Sequence, residues 1–392
     1  MKISELLQPE VQEFIASHLE SNASELALKK NPFLSLDYIQ IINQIIAKQK
    51  AKEKLPTWFA AQNIIYPSKI SVEQTSSEKT AAYKASLVSG DSLIDLTGGF
   101  GVDDYYFSMT VKTITHCEIN TELSNIVAHN FKELGRNNIT CVSGDSNAIL
   151  DNNSQNFDWI YIDPSRRSDV KGKVFMLNDC EPNVPENLNK YFTFSNNILI
   201  KTAPILDIQA GLLELKFVKS IYIIALENEV KELLWQLEKD YTSEITLTSV
   251  NLVKEKTIVF TSTLGKNYEA TFGMPNKYLY EPNAAILKSG NFNAVSQNYN
   301  INKLHQHSHL YTSEELIDFA GRRFKIVKEI PYQKKELKEN IIGQKMNVST
   351  RNFPMKVEEL RSKYKIKDGG TVFAFFTTNI ENQKIVLICT KI

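Results

Sequence analysis

Four acidic residues close four short apolar, β-branched runs: Asp95 in "SLIDL", Glu118 in "TITHCEI", Asp145 after "ITCVSG" and Asp163 after "WIYI". Between the first two lies "TGGFG", with Gly98, Gly99 and Gly101 ahead of a predicted helix. Glycines at a strand-to-helix turn permit positive φ and let a ligand come close to the backbone. In a doubly wound sheet, the crevice at the strands' carboxyl ends is where ligands bind. The dinucleotide fingerprint is incomplete here, because Asp104 takes the third glycine position. That argues against a pyrophosphate on the helix N-terminus. Taken singly, each acid also reads as a strand end or a helix cap. Three in register after three successive strands read as a site.

An acid beside the glycine turn suits a cationic ligand. S-adenosylmethionine carries an ammonium and a sulfonium, so its charge matches Asp95. Glu118 is placed to grip both ribose hydroxyls, and Asp145 to accept from the adenine amine.

The elements that must position these residues follow from periodicity. "VQEFIASHLE" and "YIQIINQIIAKQKAKEK" space apolar residues three and four apart, so the first stretch is predicted helical, with breaks at Pro32 and Pro56. From Asp91 onward, strand candidates alternate with helical patterns. The strands are "SLIDL", "TITHCEI", "ITCVSG", "FDWIYID", "NILIKT" and "KSIYIIAL". The clearest helices are "NTELSNIVAHNFKELG" and "NEVKELLWQLEKD". The alternation predicts an α/β fold, a parallel sheet with helices on both faces. "TLTSVNL" and "TIVFTST" leave little room for a crossover and predict an antiparallel edge hairpin. After Gly273 the pattern is mixed α+β: a helix near "SEELIDFA", a strand near "RFKIVKEI", a helix near "VEELRSKY", and a final hairpin around "NIENQ".

Composition excludes several classes. At 392 residues the chain is long enough for two or three domains, with 42% hydrophobic and 23% charged residues. No apolar run approaches the roughly 18 residues of a membrane span, and the N-terminus lacks the apolar region of a secretory signal. Cys117, Cys141, Cys180 and Cys389 form no C-x-x-C pair and fit reduced thiols in a cytoplasmic protein. "HQHSH" (His305, His307, His309) has no acids or cysteines at ligand spacing and reads as a surface loop, so no metal is expected. Net charge is zero, but from Pro275 onward 19 Lys/Arg stand against 11 Asp/Glu, a net of +8. Such a split marks either a nucleic-acid-facing module or a solvated Lys-rich surface.

"DLTGGFGVD", Glu118, "GDS" and Asp163-Pro164 together resemble class I (Rossmann-like) S-adenosylmethionine-dependent methyltransferases, over roughly residues 72 to 262. "VEQTSSEKTAAYKASL", "DPSRR", "KTAPILDI" and "YLYEPNAAILKSG" resemble the bacterial subgroup with a C-terminal THUMP-like domain. The resemblance implies a helical segment over 1–70, a methyltransferase domain over 71–275, a ferredoxin-like connection over 276–320 and a THUMP-like domain over 321–392. It implies a cofactor site of Asp95, Thr97, Gly99, Gly101, Asp103, Glu118, Asp145 and Ser146. Gln74, Ser76 and Ser77 would lie over the cofactor's methionine end, although Ser76 or Ser77 reads equally as a helix N-cap. THUMP modules are associated with RNA, which makes rRNA or tRNA the implied partner.

In base amino-methyltransferases, an acid-Pro-Pro-aromatic turn aims the target amine and stacks on the base. Here "DPSRR" keeps Asp163 and the Pro164 carbonyl as acceptors and puts Arg166 where the ring would be. Asp163, Pro164 and Arg166 are therefore the catalytic candidates. Arg166, Arg167 and Lys201 are the substrate-binding ones. A guanidinium can stack on a base or fork onto a phosphate, and it can equally pair with Asp169, Asp179 or Glu181. Lys201 points into the site or covers the sheet. Cys180, 17 residues past Asp163, is a lesser candidate for a nucleophile on a pyrimidine carbon. The block from Arg322 to Lys367 has 14 Lys/Arg and 5 Asp/Glu, with Phe324, Tyr332, Phe353 and Tyr364 interleaved. This suits an RNA backbone with flanking bases, or a core with lysines on its wet face. The leading expectation is methyl transfer to an RNA base. The alternatives are a protein or metabolite acceptor, and a cofactor- and RNA-binding protein without turnover.

Overall fold

Helix caps and strand register account for most of the first half of the chain. The protein is described by a computed structural model covering residues 3–33, 36–67, 69–153, 155–166, 176–254 and 256–392. It divides into two units, Met1–Lys219 with Leu233–Ser243, and Ser220–Glu232 with Glu244–Ile392.

In the first unit, Asp37 caps the helix Tyr38–Lys54 by accepting from the N–H groups of Ile39 and Gln40. Val11, Ile15, Leu26, Ile41, Ile42 and Ile45 bury the apolar stripe predicted from sequence. Pro56 begins the short helix Pro56–Ala60 at a position where its missing N–H costs nothing. From that helix Trp58, fully buried, packs on Phe100 and Tyr105, so the N-terminal helices share a core with the glycine loop.

The strands are β1 (Gly90–Asp95), β2 (Val111–Glu118), β3 (Ile139–Ser143), β4 (Trp159–Ile162), β5 (Ser165–Arg166), β6 (Cys180–Glu181), β7 (Asn197–Thr202), β8 (Val218–Leu226) and β9 (Glu229–Glu238). Strands β3, β2, β1, β4 and β7 lie side by side and parallel. Antiparallel β9 follows, with Trp235 opposite Ile200. All four residues of β4 are buried, as expected of a strand covered on both faces.

Strand β9 corrects the expectation of a helix over "NEVKELLWQLEKD". Its residues are good helix formers, but Leu233, Leu234, Trp235 and Leu237 are all fully buried. Leu233 to Leu237 is a near-continuous apolar run, which the buried sheet takes up, so packing overrides propensity. Gly211 makes room for it: a Cβ there would lie 2.4 Å from the Trp235 ring.

In the second unit, β10 (Thr246–Val253) runs parallel to β8 and pairs antiparallel with β11 (Lys256–Thr263), the predicted hairpin. Then come β12 (Tyr278–Pro282), β13 (Asn302–Lys303), β14 (Tyr311–Ser313), β15 (Gly321–Pro331), β16 (Asn347–Arg351), β17 (Val372–Thr378) and β18 (Lys384–Lys391). These seven form one sheet in the order β13, β14, β12, β15, β18, β17, β16. The predicted helix over "VEELRSKY" spans Val357–Tyr364 and connects parallel β16 and β17. The helix expected near "SEELIDFA" does not form. The Tyr280 hydroxyl instead accepts the Ile317 N–H and donates to the Glu315 carbonyl, diverting the backbone groups a helix would need. No helix among the described residues is long and apolar enough to cross a membrane.

Candidate cofactor and methyl-acceptor site

The parallel register brings the four strand-end acids to one edge of the first unit's sheet. The glycine turn after β1 is held from both sides: Leu96 donates to the Tyr161 carbonyl at 3.0 Å, and Gly98 to the Cys117 carbonyl at 2.8 Å. A Cβ on Gly98 would sit 2.2 Å from the His116 ring, so only glycine fits there. Gly99 and Gly101 have φ of 56° and 74°, in the left-handed region that glycine enters without cost.

Glu118 is fixed by that turn. One of its oxygens accepts the Gly99 N–H at 3.0 Å and the other the Asn120 N–H at 2.7 Å. A carboxylate has about four acceptor sites, so each oxygen keeps capacity for one ribose hydroxyl. Asp145 caps the helix Ser146–Asp151 by accepting the Ala148 N–H at 2.9 Å; it is exposed, and Ser146 beside it is half-buried. The cap reading and an adenine contact are compatible for this residue, because one carboxylate can do both.

Asp95 differs from expectation. It is only 2% exposed, and one oxygen accepts both the N–H and the hydroxyl of Thr97, at 2.7 and 3.0 Å. Burial, then the neighbouring Asp104 carboxyl, pushes its carboxyl well above the usual range. Asp95 therefore shapes the turn from beneath and does not present an open carboxylate to a cation. Beside it, Asp104 lies 2.6 Å from His116 Nδ1, both side chains fully buried. Burial raises the Asp104 carboxyl and lowers the His116 imidazole, which favours a neutral pair.

Asp103 is also drawn inward. It forms an ion pair at 3.1 Å with Lys84, whose side chain is fully buried, and accepts from Ser76 and Tyr161 at 2.9 and 2.8 Å. Burial alone would raise its carboxyl, but the Lys84 and Lys201 ammonium groups and the Tyr161 hydroxyl outweigh that and lower it. Ser77, next to Ser76, takes the N-cap role for the helix Glu78–Ala85. The sequence marks Asp104 only as the residue at the third glycine position and does not single out Lys84, His116 or Tyr161. The signals available were a histidine inside an apolar strand and a lysine among alanines.

Asp163 follows β4, and its N–H donates to Thr97 Oγ1 at 2.7 Å. Its side chain forms an ion pair with Lys201 of β7, which puts that ammonium beside the Asp163 carboxylate. Pro164 is buried and Arg166 exposed, with Arg166 opposite Cys180 in the short β5–β6 ladder. Arg167 and Asp169 lie outside the described residues. Cys180 is fully buried, and its thiol donates to the Met176 carbonyl at 3.6 Å. That burial does not suit a nucleophile.

In the second unit, two arginines of the basic block are engaged internally. Arg322 and Arg351 both pair with Glu281, whose side chain is 3% exposed. Phe324 and Tyr364 are buried in two different clusters, and Tyr332 and Phe353 are partly buried against that of Tyr364, so this set builds cores rather than a surface stacking platform. His305 bonds Asn352 and Asn382, while His309 stacks on Phe292 at 3.5 Å. Among the described residues no group of three His, Cys, Asp or Glu could hold a metal ion.

Residues 278–319 match a family described as a ferredoxin-like domain, and residues 321–391 one described as THUMP domain-like. No curated protein matches the chain. The whole chain superposes on 99% of a crystal structure named "putative methyltransferase from Porphyromonas gingivalis W83", with a TM-score of 0.89 and 29% identity. Partial overlaps include M. capricolum TrmK with S-adenosyl-homocysteine, at 15% identity and TM-score 0.32 over 45% of this chain and 70% of that one. Another is the M. jannaschii tRNA m1G37 methyltransferase, at 14% identity and TM-score 0.30 over 45% and 51%.

Proposed function

We propose that this chain, which has the Rossmann-like methyltransferase fold and carries a THUMP-like domain, is an S-adenosylmethionine-dependent methyltransferase that modifies an RNA base. The observation that carries the reading is the link from the glycine turn to the acid after β4: Asp163 N–H to Thr97 Oγ1, and the Thr97 hydroxyl to Asp95. It couples the cofactor loop directly to the corner where an acceptor group would be aimed. Methyl transfer is an in-line displacement, so positioning supplies much of its rate.

Glu118 and Asp145 are the residues that would hold the cofactor's ribose and adenine, with Gly99 and Gly101 giving close backbone approach. The cofactor's contribution is an electrophilic methyl on a sulfonium. The Asp163 carboxylate and the Pro164 carbonyl would accept from the N–H of the base, and Arg166 with Arg167 would hold a phosphate or stack on a base. The likeness of residues 321–391 to THUMP domains and the net charge of +8 beyond Pro275 support RNA as the partner. The test is Asp163→Ala: transfer to RNA is lost while cofactor affinity stays within about threefold. Loss of cofactor binding in that variant would remove Asp163 from the acceptor role.

A further inference from the structure

Ile162 of β4 is level with Ile200 of β7 in the parallel ladder. The next residues, Asp163 and Lys201, therefore lie side by side at the carboxyl ends of two neighbouring strands, and their side chains form an ion pair. The Lys201 side chain is 13% exposed and that of Asp163 is 36% exposed. The ammonium also acts on Asp103 within the same unit. A positive charge is thus fixed, largely out of water, beside the carboxylate that would meet the acceptor. While Asp163 is ionised the pair is neutral; once Asp163 takes a proton, the sheltered ammonium is left uncompensated and acts on charge developing beside it.

That charge discriminates between acceptor chemistries. A neutral amine attacking a methyl group becomes cationic as the bond forms, and an adjacent ammonium opposes this. An acceptor that gives up its only proton attacks as an anion, and the same ammonium favours it. Building on the methyl-transfer reading above, we propose that the acceptor reacts as its conjugate base, as a ring N–H of an RNA base or a ribose hydroxyl does, and that Lys201 stabilises the anion. The acceptor proton passes to the Asp163 carboxylate and on to solvent. The freed lone pair forms the bond to the methyl carbon while the carbon–sulfur bond breaks, and the sulfonium leaves as a neutral thioether. Lys201 keeps its proton throughout.

Two measurements test this. Nucleoside mass spectrometry compares RNA from cells with and without the gene. A methyl missing from the deletion RNA at a protonated ring nitrogen or at a ribose oxygen supports the proposal, and the position tells base from ribose. A missing methyl on an exocyclic amine, a ring carbon or an unprotonated ring nitrogen overturns it and leaves RNA methylation standing. No missing methyl overturns the RNA reading itself, and the proposal with it. In the second measurement, kcat is followed against pH for Lys201→Met and Lys201→Arg. The methionine variant should lose at least tenfold at pH 7 and shift its rise to higher pH by a unit or more. The arginine variant should hold its rise near that of the natural protein. Cofactor affinity by calorimetry should stay close to the natural value in both, and the arginine variant, which keeps the charge beside Asp163, should keep the natural melting temperature. A loss that is equal at every pH would make Lys201 merely structural.

Discussion

Lys84 and Asp103 form an ion pair at 3.1 Å in which the lysine side chain has no solvent exposure and the aspartate 11%. The pair joins the helix ahead of β1 to the helix after the glycine turn, with Ser76 and Tyr161 completing it. Removing one member leaves a buried charge without its partner, which costs about 3–5 kcal/mol. Lys84→Met should lower unfolding free energy in denaturant by that order. Lys84→Met with Asp103→Leu should recover part of it, because the orphaned charge is gone while the Ser76 and Tyr161 hydroxyls still lose their acceptor. A single-variant loss below about 1 kcal/mol would contradict this account of the pair.

Gly101→Ala tests the glycine turn. Its φ is 74°, and an added Cβ would lie 2.5 Å from Phe131 and 2.9 Å from Val127. Overpacking costs about 1–3 kcal/mol, and left-handed backbone about 1–2 kcal/mol more for a residue with a Cβ. A melting temperature unchanged within a degree would show that the turn is not held as described.

Asp95 makes stability depend on pH in a defined direction. Its folded carboxyl is held well above the ordinary range by burial and then by Asp104, whereas the unfolded chain releases that proton near pH 4. Between those two values the folded state binds the extra proton, so stability falls as pH rises. Asp95→Asn keeps an acceptor for Thr97 and cannot release a proton. Its melting temperature relative to the natural protein should therefore climb from pH 5 to pH 8. A flat or falling difference would mean that Asp95 is ionised in the fold.

Lys363, Lys365 and Lys367 are all exposed in the second unit. If they meet RNA phosphates, reversing all three to Glu weakens binding and flattens its salt dependence, by about 0.7 in log–log slope for each phosphate no longer neutralised. Filter binding at several salt concentrations checks this. Unchanged affinity and slope would remove this end of the chain from the RNA interface.

Much of the candidate site's layout was legible in the sequence because strand-end acids and a glycine turn are local signals. Asp163, Glu118 and Asp145 sit where the strand readings put them, since a parallel sheet aligns the ends of its strands. What the sequence hid was pairing between distant residues. Nothing local says that Lys84 reaches Asp103, that Asp104 meets His116, or that Asp95 turns inward. Strand β9 escapes a sequence reading for the same reason: "ELLWQLE" has helical propensity, and only the sheet beside it makes it a strand. The aromatics of the basic block show the limit of composition, since Phe324 and Tyr364 are core residues whatever charge surrounds them.

The most direct test is transfer of labelled methyl from S-adenosylmethionine to total RNA, taken from cells lacking the gene and from normal cells. The account predicts label in the deletion RNA alone, because the normal RNA is already methylated at the target. Label in neither RNA, from protein that binds the cofactor, would contradict it.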